Sequence, residues 1–158
     1  MPHLRERYAL NLLVKKLRYS PVVAIQGVRQ SGKSTLAREL LPSALRDSAY
    51  RSLDSPSTLD AVIERPESFL ASLEDQGTII IDEAQKAPRL FDAIKHRVDL
   101  DRRPGQYLLL GSTEFSKLLR VRESLTGRLS RLRLFPLISG EAARKPLKGG
   151  QPFFLQES

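Results

Sequence analysis

Apolar residues recur along this chain in two rhythms. Near the start, Leu4, Tyr8 and Leu12, then Leu10, Leu13, Val14 and Leu17, fall three or four apart, which predicts an amphipathic helix over Met1–Tyr19. Ser20-Pro21 ends it, because the residue before proline avoids the helical region. The β-branched run Val22–Gln26 predicts a first strand, and Lys33–Leu41 a helix with Pro42 just past its end. Ala49–Leu53 alternates and predicts a second strand, closed by a turn at Asp54-Ser55-Pro56. Short helices are expected at Leu59–Ile63 and Pro66–Leu73, with a break at Glu74–Gly77.

Thr78–Ile81 is continuously β-branched without alternation, which suits a strand buried on both faces of a parallel sheet. A helix over Pro88–Leu100 follows, with Leu90, Phe91, Ile94 and Val98 on one side, and Gln106–Leu110 predicts a fourth strand. Glu114–Arg122 reads as helical, Ser124–Gly127 as a loop or short turn, and Leu129–Leu134 as an edge strand whose alternation leaves one face wet. Five strands alternating with helices predict an α/β fold, a parallel sheet covered on both faces. The tail from Gly140 has no periodicity and reads as a linker or frayed end. The expected division is an N-terminal helix (1–20), a nucleotide domain (21–141) and a linker or disordered tail (142–158).

The chemistry enters between the first strand and its helix. Gly27-Val28-Arg29-Gln30-Ser31-Gly32-Lys33-Ser34, continuing into Thr35, matches the phosphate-binding pattern of two glycines five apart followed by Lys and Ser. Gly27 and Gly32 let the backbone turn tightly with N–H groups facing a phosphate, and the helix opening at Lys33 points its positive end there. Lys33 would reach the β- and γ-phosphates, and the Ser34 hydroxyl would hold magnesium.

Two acids, Asp82 and Glu83, close the most apolar strand. Asp82 is the expected second magnesium partner, and Glu83 beside it can polarise a water for attack on the γ-phosphorus. The plain alternative is an acid pair that opens a helix. Ser112 or Thr113, after the fourth strand, would orient that water or else simply cap a turn. All three segments follow directly on strands, so they should meet at the carboxyl rim of the sheet, where such sheets bind ligands.

Composition narrows the setting. The 158 residues favour one domain, and the absence of cysteine excludes disulfides and thiolate metal sites. Charged residues interrupt the first 20 positions, and no apolar run reaches the length of a membrane span, so a cytoplasmic protein without a membrane partner is expected. The net charge of +8 favours an anionic partner, nucleic acid beyond the nucleotide itself or else only a solvated basic surface. Six basic residues lie between Lys117 and Arg133. Arg128, in a loop just before the fifth strand, is the candidate arginine finger, reaching the γ-phosphate of a neighbouring subunit; the alternative is that this basic group is a solvated or nucleic-acid-facing surface. Arg131 and Arg133 alternate with leucines and read as that strand's wet face.

With these residues in view the chain resembles the N-terminal domain of bacterial and archaeal ATP-binding proteins of the AAA superfamily. In these a P-loop ATPase domain precedes a C-terminal domain of unknown function. The matching segments are Gly27–Leu36, Leu53-Asp54, Ile81-Asp82-Glu83-Ala84-Gln85, Leu110-Gly111-Ser112-Thr113, Ser124–Arg128 and Leu134–Leu137. The resemblance implies a three-layer P-loop NTPase fold with a five-stranded parallel sheet in the order 5-1-4-3-2, and ATP with magnesium as ligands. It also implies Glu83 as catalytic base, Ser112 or Thr113 as sensor and Arg128 as finger. The usual C-terminal domain is expected to be absent. Asp82-Glu83-Ala84-Gln85 is similar to a helicase box, but a full helicase needs two nucleotide domains and this chain has room for one.

The leading expectation is a magnesium-dependent ATPase that couples hydrolysis to a conformational change, in a homo-oligomer if the finger acts between subunits. The alternatives are a nucleotide-gated regulator of DNA or protein with little turnover, and a small-molecule kinase. Against the kinase, the paired acids favour water as acceptor, and no arginine-rich lid is evident.

Overall fold

A computed structural model describes residues 8–45, 47–112, 115 and 123–136. Helix α1 (Tyr8–Leu17) leads into strand β1 (Val22–Gln26). Helix α2 (Lys33–Thr35) continues through a π-helical turn (Leu36–Leu40) and a 3-10 turn (Leu41–Ser43). Strand β2 (Ser48–Ser52), helices α3 (Pro56–Glu64) and α4 (Pro66–Ala71), strand β3 (Thr78–Asp82), helix α5 (Arg89–Leu100), and strands β4 (Tyr107–Gly111) and β5 (Leu129–Arg133) complete it.

The five strands form one sheet in the order β2-β3-β4-β1-β5, which is the expected order read from its other edge. Every pairing is parallel, with Val22 level with Tyr107 and with Leu129, and Ser52 level with Asp82. β1, β3 and β4 are buried at all five positions, as their unbroken apolar runs require of central strands. β2 and β5 are the edges and bury only part of their length.

Alternate residues of the central strands feed two separate cores. Val22, Ala24, Ile79, Ile81, Tyr107 and Leu109 pack with Val62, Leu70, Leu90 and Ile94, so α3, α4 and α5 cover one face. Val23, Ile25, Ile80, Leu108 and Leu110 pack with Leu12, Leu13, Leu36 and Leu41, so α1 and the helical run after Lys33 cover the other. The α1 stripe of Ala9, Leu12, Leu13 and Leu17 is thus part of the second core.

Local departures from the sequence reading have local causes. The segment Asp54–Pro56, expected as a turn, ends in the first residue of α3: proline suits a first helical position, where its missing N–H is no loss. The helix expected over Lys33–Leu41 is not uniformly α-helical. Pro42 has no N–H and crowds the carbonyl four residues back, and the turn ahead of it widens so that Leu41 N–H bonds to Leu36 O. Glu74–Gln76 and Ala84–Lys86 are 3-10 turns. The expected helix at Glu114–Arg122, apart from Phe115, and the tail from Gly140 lie outside the described residues, as do residues 1–7 and Thr113.

Candidate functional site

The carboxyl ends of β1 and β3 bring the loop and the acids together. Leu134, leaving β5, donates its N–H to Gln26 O at 2.6 Å. Its carbonyl lies 2.5 Å from where a β-carbon on Gly27 would stand, so only glycine fits there. Gln30 (φ 63°) and Gly32 (φ 85°) are both left-handed, a backbone path that turns successive N–H groups toward one side. The helical run begins at Lys33, immediately after this turn.

Glu83 also has positive φ (56°), and among the described residues Gln30 and Glu83 are the two non-glycine residues that do. Both line the same cleft of about 300 Å³, with Arg29, Gly32, Lys33, Ser34 and Thr35. A non-glycine residue held left-handed costs about 1 kcal/mol or more, and such strain gathers where a side chain or amide must be aimed.

The polar contacts tie the two segments into one unit. Lys33 Nζ donates to Gly27 O (2.9 Å) and Val28 O (3.0 Å), drawing the loop around itself. Its burial lowers the amine's pKa below the usual 10.5, while the charges of Glu83 and then Asp82 oppose that shift. Ser34 Oγ donates to Asp82 Oδ2 at 2.5 Å. Asp82 Oδ1 accepts the backbone N–H of Glu83 at 2.9 Å. Gln85 Nε2 donates to Glu83 Oε2 at 2.5 Å, and a β-carbon on Gly111 would stand 2.9 Å from Gln85 Oε1. Tyr50, from the middle of β2, donates its phenol to Asp82 Oδ2 at 2.6 Å. Burial, then the bond to Asp82, pushes that phenol above its ordinary pKa.

The site therefore joins Gly27–Thr35 with Asp82 and Glu83, as the two motifs suggest. Ser112 follows directly on β4, between the strands that carry them. Arg128 lies elsewhere. Its carbonyl accepts the N–H of Val22, the first residue of β1, which puts it at the amino end of the sheet. There Arg128 Nε donates to Asp99 Oδ1 at 2.6 Å and Nη1 to Thr126 O at 3.0 Å. It does not join the cleft of its own chain. A larger cleft of about 590 Å³ also opens at the amino end, lined by Asp47, Asp75, Arg97, Asp101, Arg103 and Gln106 among others. Arg97 there is engaged by Glu67 and Glu74.

Sequence reasoning missed Tyr50 and the contact of Gln85. In the sequence Tyr50 reads only as one residue of an alternating strand. The signal for it is a tyrosine two positions before the residue level with Asp82, on the neighbouring strand.

The donor set fits the ligands that the motifs suggest. Ser34 Oγ and Asp82 Oδ2 are hard oxygen donors already in contact, the kind magnesium takes. Lys33 and the left-handed loop supply a cation and N–H groups for phosphate oxygens. Among the described residues no helix is long and apolar enough to cross a membrane.

Comparison with known proteins bears on the family and the fold. The profile of a family described as an AAA domain matches residues 19–143. Two uncharacterised proteins, Rv2008c of Mycobacterium tuberculosis and Mb2031c of Mycobacterium bovis, are each 35% identical over 155 residues, covering 94% of this chain and 34% of theirs. The chain thus spans about a third of the length of the curated relatives it matches. Among solved structures, the Walker-type ATPase PABY2304 of Pyrococcus abyssi superposes with a TM-score of 0.63 at 15% identity, over 89% of this chain and 56% of its own. PCH-2 of C. elegans superposes with a TM-score of 0.54 at 15% identity, over 82% of this chain and 42% of its own. At such identities the two superpositions establish the P-loop fold.

Proposed function

Because the chain belongs to the AAA domain family, we propose that it binds ATP with magnesium and hydrolyses it at the cleft between Gly27–Thr35 and Asp82-Glu83. The observation that carries this reading is the direct bond between Ser34 and Asp82, with Lys33 and Glu83 lining the same cleft.

On this reading Lys33 exchanges the carbonyls of Gly27 and Val28 for β- and γ-phosphate oxygens, and the loop amides take the remaining phosphate contacts. Ser34 and Asp82 hold magnesium, which neutralises phosphate charge when bound. Glu83 accepts a proton from water as the water oxygen bonds to the γ-phosphorus. The bond from that phosphorus to the bridging oxygen breaks, and ADP leaves with the electron pair. Gln85 fixes the carboxylate that takes the proton. Ser112 serves as sensor, with Thr113 beside it. Arg128 acts as a finger only toward a neighbouring copy, since its own cleft lies at the other end of the sheet. Coupling to movement, a homo-oligomer and a cytoplasmic setting belong to the same reading.

The test is release of phosphate from ATP by the purified chain, with magnesium and with chelator. Turnover that needs magnesium supports the proposal, and equal rates in both conditions refute it. The net charge of +8 favours a second reading, a nucleotide-gated regulator that engages nucleic acid or an acidic protein. Salt titration of DNA binding with and without ATP separates the two, because phosphate contacts weaken steeply with salt.

A further inference from the structure

Tyr50 stands in the middle of β2, level with Ile80 of β3 and two positions before the Ser52–Asp82 pair. Its ring rests on the core beneath the helical run after Lys33, against a cluster that includes Leu36, Leu41 and Ile80. From there the phenol reaches along the sheet to Asp82. Two strand positions correspond to about 7 Å, a span that a tyrosine covers and that serine or threonine cannot.

The Asp82 carboxylate is consequently held by three donors, from α2, from β2 and from the residue that follows it. Oδ2 accepts the Ser34 hydroxyl at 2.5 Å and the Tyr50 hydroxyl at 2.6 Å, while Oδ1 accepts the Glu83 N–H at 2.9 Å. The torsion that swings a carboxylate is a broad one, so an aspartate with fewer partners samples many orientations. Here Asp82 itself is 4% exposed.

Resting on the magnesium role proposed above for Ser34 and Asp82, we propose that Tyr50 is a positioning residue that fixes the Asp82 carboxylate against Ser34 and so presets the seat for a divalent cation. Groups that orient a metal ligand from behind typically change metal affinity by about tenfold or more when removed. Tyr50 does this from an edge strand outside both phosphate motifs, so a change there acts on metal affinity without altering a residue that touches phosphate.

The experiment is a binding titration with a fluorescent ADP analogue across magnesium concentrations, on the parent chain, Tyr50→Phe, Asp82→Asn and the double variant. Tyr50→Phe should bind the analogue in chelator as the parent does. It should need about tenfold more magnesium for the same enhancement, with a melting temperature close to the parent's. In the Asp82→Asn background the Tyr50 change should have no further effect, because the phenol acts through that carboxylate. Equal magnesium dependence in the parent and Tyr50→Phe overturns the assignment of Tyr50 alone. So does an undiminished Tyr50 effect in the Asp82→Asn background. If the parent shows no magnesium enhancement, the reading of Ser34 and Asp82 falls, and this inference falls with it.

Discussion

Gln85 donates its side-chain amide to the carboxylate of Glu83 at 2.5 Å, while its carbonyl oxygen is turned toward Gly111 at the end of the neighbouring strand. The proposed base is therefore held by a residue that also touches the strand leading to Ser112. Replacing Gln85 by Ala frees the carboxylate without removing it. Steady-state kinetics should show kcat lowered by roughly tenfold, in line with the loss of a group that orients a general base, and KM for ATP unchanged. An equal change in KM would mean that Gln85 serves binding rather than orientation.

Glu83→Gln and Lys33→Ala should divide binding from chemistry. With Glu83→Gln, calorimetry should find ATP bound as by the parent, while turnover falls by about a hundredfold or more. Lys33→Ala should lose both, because the amine is the cleft's central cation and also braces the carbonyls of Gly27 and Val28. Parental turnover in Glu83→Gln would remove Glu83 as the base.

Gly27 and Gly111 should not tolerate a methyl group. A β-carbon on Gly27 would lie 2.5 Å from Leu134 O, and one on Gly111 would lie 2.4 Å from the Phe115 ring. Overpacking of this kind destabilises by about 1–3 kcal/mol. Urea unfolding of Gly111→Ala should show that loss. Gly27→Ala should show it together with weakened nucleotide binding, since the loop must move aside.

Two of the four phenols should ionise late. Burial raises the pKa of Tyr50, and burial also raises that of Tyr107 against the opposing influence of Arg97. The folded chain keeps these protons above pH 10, where an unfolded chain releases them. Their contribution to stability is thus full below about pH 10 and is lost as the pH rises beyond it. Lys33 works in the opposite sense, because its folded pKa is lowered from 10.5. Tyrosinate absorbance should rise in two stages, and the Lys33→Ala variant should lose stability more steeply on the alkaline side than the parent.

Arg128 offers a test of assembly. Its guanidinium is held by Asp99 on α5, an exposed pair of the kind worth about 0.5 kcal/mol. Arg128→Ala should leave nucleotide affinity intact. If the finger acts between copies, turnover per chain should rise with protein concentration in the parent and in Asp99→Ala, but not in Arg128→Ala. A parental rate in Arg128→Ala at every concentration would end its candidacy.

Much of this arrangement could be read from residue order. The continuous apolar runs of β1, β3 and β4 declare strands buried on both faces, and segments that follow such strands in a parallel sheet must share a rim. By that logic Gly27–Ser34 and Asp82-Glu83 belong side by side. The same logic, applied to Arg128, puts a residue that precedes a strand at the opposite rim. What residue order does not display is reach. Tyr50 and Gln85 act through side-chain length and packing, and a five-residue strand or a tight turn shows neither. The widened turn ahead of Pro42 escapes a pattern reading too, since apolar spacing is nearly unchanged when one bond slips from the fourth to the fifth residue.

Leu134 holds the loop from both of its flanking peptide groups: its N–H is bonded to Gln26 and its carbonyl stands against Gly27. In mechanical terms the strand exit and the phosphate loop share a hinge pin. On the proposed reading, a shift of the loop's first turn around a ligand would be carried to the backbone leaving β5 through Leu134.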